Sequence, residues 1–168
     1  MGKTEKSSRL TPTARLFAEL TRGAAANGQN FILNGGDVGL TRSLEKLSRD
    51  EASASTNGGA TIAAHAQHVR YGLSLMNRWA RECGNPFADA KWDEAWKTSR
   101  VNDAEWKEIQ GGLTAEIDEW LAALDSKQTT NEFEIAGMIG SVAHLAYHLG
   151  AIRQISKSTR GPKEGTFD

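Results

Sequence analysis

The chain has 168 residues and carries 20 basic and 21 acidic side chains, which gives a formal net charge of −1. This length favours one domain with its own core, and the lack of a basic stripe argues against nucleic-acid binding. The single cysteine, Cys83, excludes an internal disulfide and suits a reducing compartment. We find no signal-peptide pattern and no apolar run near the roughly 20 residues of a membrane span. We therefore expect a cytoplasmic protein without a membrane partner.

Hydrophobic periodicity predicts four main helices and no strand. The first begins at the Thr-Pro pair of residues 11–12, a cap followed by a favourable first helical residue. The third follows Asn102-x-x-Glu105, and the fourth follows Thr129-x-x-Glu132, which are both capping-box patterns. In chain order the predicted helices cover about residues 11–26, 60–82 and 103–125, and the last runs to about 157.

The first connection, residues 27–39, is rich in glycine and asparagine and contains the apolar triplet 31–33. We interpret it as a loop that packs these three side chains against the helices, in preference to a loop that covers a ligand pocket. Asp37 is then expected to cap a short helix that carries Leu40, Leu44 and Leu47.

Two further connections have different characters. Residues 52–59 form a linker by composition. Residues 83–102 contain a short helical piece with Trp92 and Trp96 one turn apart. We expect the two indoles to cap one end of the helical domain, because a stacking platform for nucleic acid would also need interleaved basic residues.

Four amphipathic helices predict an all-α protein with a four-helix bundle and short extra helices. The connection at 83–102 is long enough to run back along the bundle, so the second and third helices can be parallel. The predicted domain covers residues 11–157, with disordered segments at 1–10 and 158–168.

The four histidines fall on two of the predicted helices. His144 and His148 are four residues apart on the fourth helix, so their side chains share one face. His65 and His68 lie on the second helix, and either can add a third nitrogen to make a metal site with open positions. The competing interpretation is that these side chains are hydrogen-bonded core residues or surface residues, because this spacing alone is a weak signal.

The surroundings of His144 and His148 favour a ligand site. Gly137, Gly140, Ser141 and Ala151 are small and lie near the histidine face, next to space that a ligand can occupy. On the second helix, a helical wheel slightly prefers His65 as the inward residue over His68.

The motifs T-I-A-A-H-A-Q-H-V at 61–69 and H-L-A-Y-H-L-G-A-I-R-Q at 144–154 resemble the DinB/YfiT-like superfamily of candidate metalloenzymes. The resemblance extends over residues 12–157 and implies a four-helix bundle of up-down-down-up topology. It also implies a divalent metal ion of the Zn, Ni or Fe class held by His68, His144 and His148. In the family pattern the ligand of the second helix directly precedes an aliphatic residue, which selects His68 before Val69 against the wheel.

Three other residues are candidates for a fourth ligand or for a group that hydrogen-bonds a ligand. His65 is an additional histidine beside the motif, and Tyr147 lies between the two histidines of the fourth helix. Family members often have a glutamine close after the second histidine, but here Gly150 is followed by alanine, so Gln154 is the remaining candidate.

The residues between His144 and His148 include no glutamate, so the metalloprotease pattern with its built-in base is absent. A metal-bound thiol needs no protein base, because the ion itself favours the thiolate. We therefore expect a metal-dependent enzyme of the thiol S-transferase or hydrolase type, acting on a small molecule, with a low-molecular-weight thiol as candidate partner. The alternative is a non-catalytic binding bundle with a degenerate site. Cys83, beside Glu82 at a predicted helix end, is a poor nucleophile candidate.

The resemblance also bears on assembly. Family members often dimerise, and Trp106 and Trp120 exceed what one core obviously requires. We therefore expect a homodimer.

Overall fold

A computed structural model describes residues 10–26, 28–82 and 84–162. Within them the backbone forms α-helices, one 3-10 helix and no strand, which confirms the all-α class. The helices are α1 (Pro12–Arg22), α2 (Gly39–Glu45), α3 (Arg49–Ala52), α4 (Ile62–Arg81), α5 (Trp92–Ala95), α6 (Asp103–Ser126) and α7 (Glu132–Ile155), followed by the 3-10 helix Lys157–Thr159. The prediction for Cys83 and most of the predicted disordered N-terminus lie outside the described residues.

Helices α1 and α6 begin at their predicted caps. Thr11 accepts a hydrogen bond from a backbone N–H of the first turn of α1, and Asn102 forms a complete capping box with Glu105 at the start of α6. At α7 the predicted cap is wrong by two residues. Asn131, rather than Thr129, accepts the backbone N–H bonds of the first turn, because its short amide reaches those donors from the position directly before the helix.

The end of α1 differs from the prediction as well. The helix stops at Arg22 instead of residue 26, because Gly23 has a φ of 101°, a left-handed value that glycine adopts readily. A side chain at this position would also collide with the carbonyl oxygen of Asp37. The short helix α3 was not predicted, although Ser48 and Glu51 form a capping box that the sequence displays.

The core lies among the four longest helices. α4 packs most extensively on α6 and also contacts α7, while α1 contacts α6 and α7. Trp106 and Trp120 are only 3% and 1% exposed, and their indole N–H groups donate to the carbonyl of Leu47 and the hydroxyl of Ser141. Both tryptophans are therefore core residues of one chain, and they no longer argue for a dimer, which stays a prediction.

The loop after α1 is held by a buried carboxylate. Glu19 accepts the backbone N–H groups of residues 31, 32 and 33 at 2.7–3.0 Å. Leu33 packs into the core, but Phe31 is 71% exposed and Ile32 is 44% exposed. The prediction that all three apolar side chains pack inward is therefore right for Leu33 only, because the carboxylate fixes the backbone and leaves the other two side chains outside.

Asp37 joins this loop to the end of α7. Its carboxylate accepts the N–H of Gly39 and pairs with Arg153 at 2.8 Å. The predicted cap is wrong by one residue, because Val38 occupies the cap position of α2 and Asp37 precedes it. The described chain also continues past the predicted boundary at residue 157. Thr159 is buried and donates to the carbonyl of Ile152, while residues 163–168 lie outside the described residues. The predicted domain limits stay a prediction.

One described helix, α7, is long and apolar enough to cross a membrane when it is judged by length and composition alone. Its most apolar window has a mean hydropathy of 1.4, and 39% of that window is buried inside the protein. A core helix of a soluble protein meets the same criteria, so the predicted cytoplasmic location stays a prediction.

Candidate metal centre

Helices α4 and α7 bring all four histidines together. His65 lies opposite His148, and His68 lies opposite His144. His65, His68 and His148 are buried, and His148 is only 1% exposed, whereas His144 is partly exposed. Two helix faces that are far apart in sequence therefore converge on one small volume.

Three of the ring nitrogens are close enough to share one ion. The Nε2 atom of His144 lies 3.2 Å from Nε2 of His68 and 3.0 Å from Nε2 of His148. Ligands about 2.0–2.1 Å from an ion are separated by about 2.9 Å at right angles and about 3.3 Å in a tetrahedron. The observed spacings fall between these two values, so the cluster fits a divalent ion with three imidazole ligands.

The number of N–H groups in the cluster also favours a bound cation. A neutral imidazole carries one N–H, so the Nε2 of His144 can donate to only one of its two close nitrogen neighbours. If it carries its lone pair instead, it can accept from only one of them, so the second contact is satisfied only if a cation lies among the nitrogens. The buried Nδ1 of His68, on the other side of its ring from Nε2, has no hydrogen-bond partner among the described residues, which is rare for a buried polar atom.

His65 contacts the far side of one candidate ligand. Its Nδ1 lies 2.9 Å from Nδ1 of His148. When His148 donates from Nδ1 to His65, its Nε2 keeps a free lone pair directed at the other two histidines. A ligand histidine commonly has such a partner, which fixes its tautomer and ring orientation. His65 is therefore placed to orient His148, and the wheel's slight preference for it as the inward ligand finds no support in these distances.

Burial keeps the cluster neutral. Burial, followed by the neighbouring histidines, lowers the pKa of His148 to about 3 and that of His68 to about 4. Burial also lowers the pKa of His65 and His144. The unprotonated ring is the form that binds metal, so at neutral pH protons do not compete for these nitrogens.

Trp96 and Trp92 cover the cluster. The ring of Trp96 stacks on His68 with centroids 4.2 Å apart and also contacts His65 and His148. Trp92 lies 5.4 Å from His68. The indoles were predicted as a hydrophobic cap on one end of the helical domain. Their spacing of one turn indicates that they share a face, but it does not indicate that this face lies on the histidines.

Tyr147 and Gln154, the other two candidates, lie at the margin of the histidine cluster. Tyr147 makes an edge contact with His148 at 5.0 Å between centroids, but its side chain is 69% exposed. Gln154 is exposed and lies six residues beyond His148 on α7, which places it on a different face of the helix. Neither residue occupies a position like that of His65, whose Nδ1 lies beside Nδ1 of His148.

A cavity of about 650 Å³ adjoins the cluster between α4 and α7. His68 and His144 form part of its wall, as do Gly137, Gly140 and Ser141. These three small residues are among those whose position indicated space for a ligand, while Ala151 is not part of the wall. The loop at 31–37 does not line this cavity either, which agrees with its interpretation as a packing element.

Comparisons with protein-family models, with curated proteins and with solved structures find no match to this chain.

Proposed function

We propose that this chain is a divalent-metal-dependent enzyme that acts on a small molecule, with His68, His144 and His148 as the metal ligands. The observation that carries the proposal is the convergence of three neutral imidazoles beside a cavity, with Nε2 of His144 at 3.2 Å from that of His68 and at 3.0 Å from that of His148. Open positions on a three-histidine site are the arrangement that catalytic metals use. Membership of the DinB/YfiT-like superfamily and a cytoplasmic location are part of the same proposal.

We further propose the four-helix bundle of up-down-down-up topology. Contacts of α1 with α6, α6 with α4, α4 with α7 and α7 with α1 are consistent with a closed ring of four helices. Bonded residues of α4 and α6 keep a constant sequence separation of 38–39, which is the pattern of parallel helices. The α4–α7 partners run in opposite numerical order, as in His65 with His148 and Trp79 with Phe133, which is the antiparallel pattern.

Each residue of the centre has a defined task in this proposal. The three ligands offer Nε2 lone pairs, His65 accepts the Nδ1–H of His148, and Trp96 excludes water from the His68 side. A divalent ion supplies Lewis acidity, which lowers the pKa of a bound water or thiol. Among the described residues, no aspartate or glutamate lines the adjoining cavity or belongs to the group of candidate ligands, which favours thiol transfer because that reaction requires no protein base.

The second candidate is a binding bundle without catalysis. The same shortage of a nearby base favours it, since hydrolysis at this site would need a proton acceptor from elsewhere. The two candidate functions, enzyme and binding bundle, share the metal site and differ only in whether a substrate is turned over.

The test is an activity screen of untagged protein with several low-molecular-weight thiols and electrophiles. We expect turnover that is lost on chelation, restored by a divalent ion and absent from His144→Ala. Turnover that persists after chelation and in His144→Ala would overturn the proposal. A wild-type protein that binds metal and stays inactive across the screen would favour the binding bundle.

A further inference from the structure

The cavity beside the histidines is elongated along the two helices that form it. Its inner end is at His68 and His144, and its outer end is at Trp79 of α4 and Phe133 near the start of α7. Its volume of about 650 Å³ lies within the range of about 300–1,000 Å³ that small-molecule sites occupy. The cavity is therefore large enough for a molecule that extends well beyond the metal ligands.

The wall of this cavity is apolar and rich in aromatic rings. Leu73 and Met76 line it together with the rings of Trp79, Trp92 and Phe87. No described residue of the wall is an aspartate, glutamate, lysine or arginine. A charged group inserted here would lose its hydration without gaining a partner, whereas an apolar group gains free energy from burial.

The polar groups of the wall are concentrated at one end. Apart from two indoles, they are Ser141, His68 and His144. The hydroxyl of Ser141 already donates to the carbonyl of Met138 and accepts the indole N–H of Trp120, so it has little capacity left for a ligand. The two histidines therefore supply the polar end of the cavity.

A lysine beside the outer end is paired with a carboxylate. The Nζ of Lys127 lies 5.5 Å from the ring centroid of Trp79 and pairs with Glu134 at 3.0 Å. This pair does not line the cavity, and it gives an anionic ligand little net attraction.

We propose that this cavity binds the uncharged apolar body of the substrate, an alkyl, acyl or aryl group, with the substrate's polar head at His68 and His144. The inference rests on the proposed function for the role of the head, and it assigns the substrate class. A polar thiol partner would then reach the ion from outside the cavity, while the second substrate lies inside it.

Two glycines show how the cavity can be filled by mutation. A Cβ atom on Gly137 would lie 2.9 Å from the ring of Trp79, so that position is already crowded. A Cβ atom on Gly140 would meet no atom within 4 Å, and Gly140 lines the cavity. Gly140→Leu therefore fills the cavity without removing a candidate metal ligand. Gly150 on the same helix also has open space but does not line the cavity, so Gly150→Leu is the matched control.

The first experiment measures the cavity without the metal. Chelator-treated protein is titrated with N-phenyl-1-naphthylamine, a neutral fluorophore, and with its sulfonated analogue 8-anilino-1-naphthalenesulfonate. We expect the neutral probe to bind at least tenfold tighter than the anion. Gly140→Leu should weaken the neutral probe at least tenfold, and Gly150→Leu should leave it unchanged. Ala136→Phe, at another lining position, is the second filling variant if Gly140→Leu fails to fold.

The second experiment connects the cavity to the ion. Zinc-loaded protein is titrated with acetohydroxamic acid and octanohydroxamic acid, which share a metal-binding head and differ in the length of the apolar chain. We expect the longer compound to bind at least tenfold tighter, and Gly140→Leu to remove this advantage while acetohydroxamic acid still binds. Binding of the neutral probe without any hydroxamate binding would refute the proposed metal function and leave the apolar cavity supported.

Three results would overturn the inference. The first is tighter binding of the sulfonated probe than of the neutral probe. The second is equal weakening of the neutral probe by Gly140→Leu and Gly150→Leu. The third is a wild-type dimer that does not bind the neutral probe and that Gly140→Leu converts to a monomer in light scattering, since the groove would then be occupied by a second copy of the chain.

Discussion

Two buried polar clusters lie on α7, and they are built from different chemistry. Near the end of the helix, Arg153 pairs with Asp37 at 2.8 Å, and Asp37 also accepts the N–H of Gly39. Earlier in the same helix, Nε2 of His144 lies 3.2 Å from Nε2 of His68 on α4 and 3.0 Å from Nε2 of His148. The first cluster joins a cation to an anion, and the second joins groups of one kind.

The difference separates a structural role from a ligand-binding role. The Asp37–Arg153 pair satisfies its opposite charges within the chain, so it fixes the loop before α2 to the end of α7. The histidine cluster brings three ring nitrogens within 4.8 Å of one another and contains no opposite charge. A buried cluster that is complete by itself holds the fold together, whereas one that lacks a complementary charge is suited to bind a cation from solution.

The largest effect is expected from breaking the ion pair. Arg153→Met leaves the carboxylate of Asp37 buried without its cation, and this should lower the free energy of unfolding by about 3–5 kcal/mol. Arg22→Met, which removes the exposed pair with Asp118, should lower it by less than about 1 kcal/mol. Urea unfolding of both variants measures the contrast. Similar small losses in the two variants would show that the buried pair has no special structural role.

Metal binding at the histidine cluster should stabilise the folded protein. A divalent ion at a free concentration about 100 times its Kd should raise the free energy of unfolding by about 2.7 kcal/mol. The increment should vanish in His148→Ala and remain in Arg153→Met if that variant still folds, because only the former removes a ligand. Urea unfolding with zinc and with chelator makes the measurement. An increment that survives in His148→Ala would place the ion elsewhere.

The metal-free protein should lose stability as the pH falls. The pKa values of His148 and His68 are about 3 and about 4 in the folded chain, against about 6.5 for an unfolded histidine. The unfolded state therefore takes up protons first, and stability falls as the pH drops below about 6.5. Between pH 7 and pH 5, where most carboxylates stay ionised, we expect Tm to fall by several degrees.

The control for this pH dependence is the double variant His68→Gln/His148→Gln. Circular dichroism melts with chelator should show a flatter pH dependence of Tm than in wild type over the same range. The same slope in both proteins would mean that other groups cause the loss of stability.

The smallest effect is expected at His65. His65→Ala removes the acceptor for the Nδ1–H of His148 but leaves three ligands, so the protein should still bind one ion per chain. The affinity should fall by about 10-fold to 100-fold, as for other partners of ligand histidines. His65→Gln, which keeps an acceptor, should lose less. Loss of all binding in His65→Ala would make His65 a ligand.

The sequence predicted where the helices lie better than it predicted where they end. The periodicity and the capping residues located α4 and α6 within two residues. The end of α1 depends on how closely Gly23 approaches Asp37, a contact with a distant part of the chain that no local pattern contains. The exposure of Phe31 has the same origin, because the buried Glu19 carboxylate decides how the loop backbone lies.

The candidate site was predictable in its residues and less so in its surroundings. The spacing of His144 and His148 placed both on one face of a helix. A wheel slightly preferred His65 over His68, because it gives a direction around α4 but not the distance from each ring nitrogen to α7. The stacking of Trp96 on His68 depends on the path of the connection between α4 and α6, which has no periodicity to fix it.

The most direct test of the account is a zinc titration of chelator-treated protein in competition with a chromophoric chelator. Wild-type protein and three single variants, His65→Ala, His68→Ala and His144→Ala, are compared for the number of ions bound per chain. We predict one ion per chain in the wild type and in His65→Ala, and none at the same free zinc concentration in His68→Ala and His144→Ala. A wild-type protein that binds no zinc, or loss in His65→Ala with full binding in His68→Ala, would contradict the account.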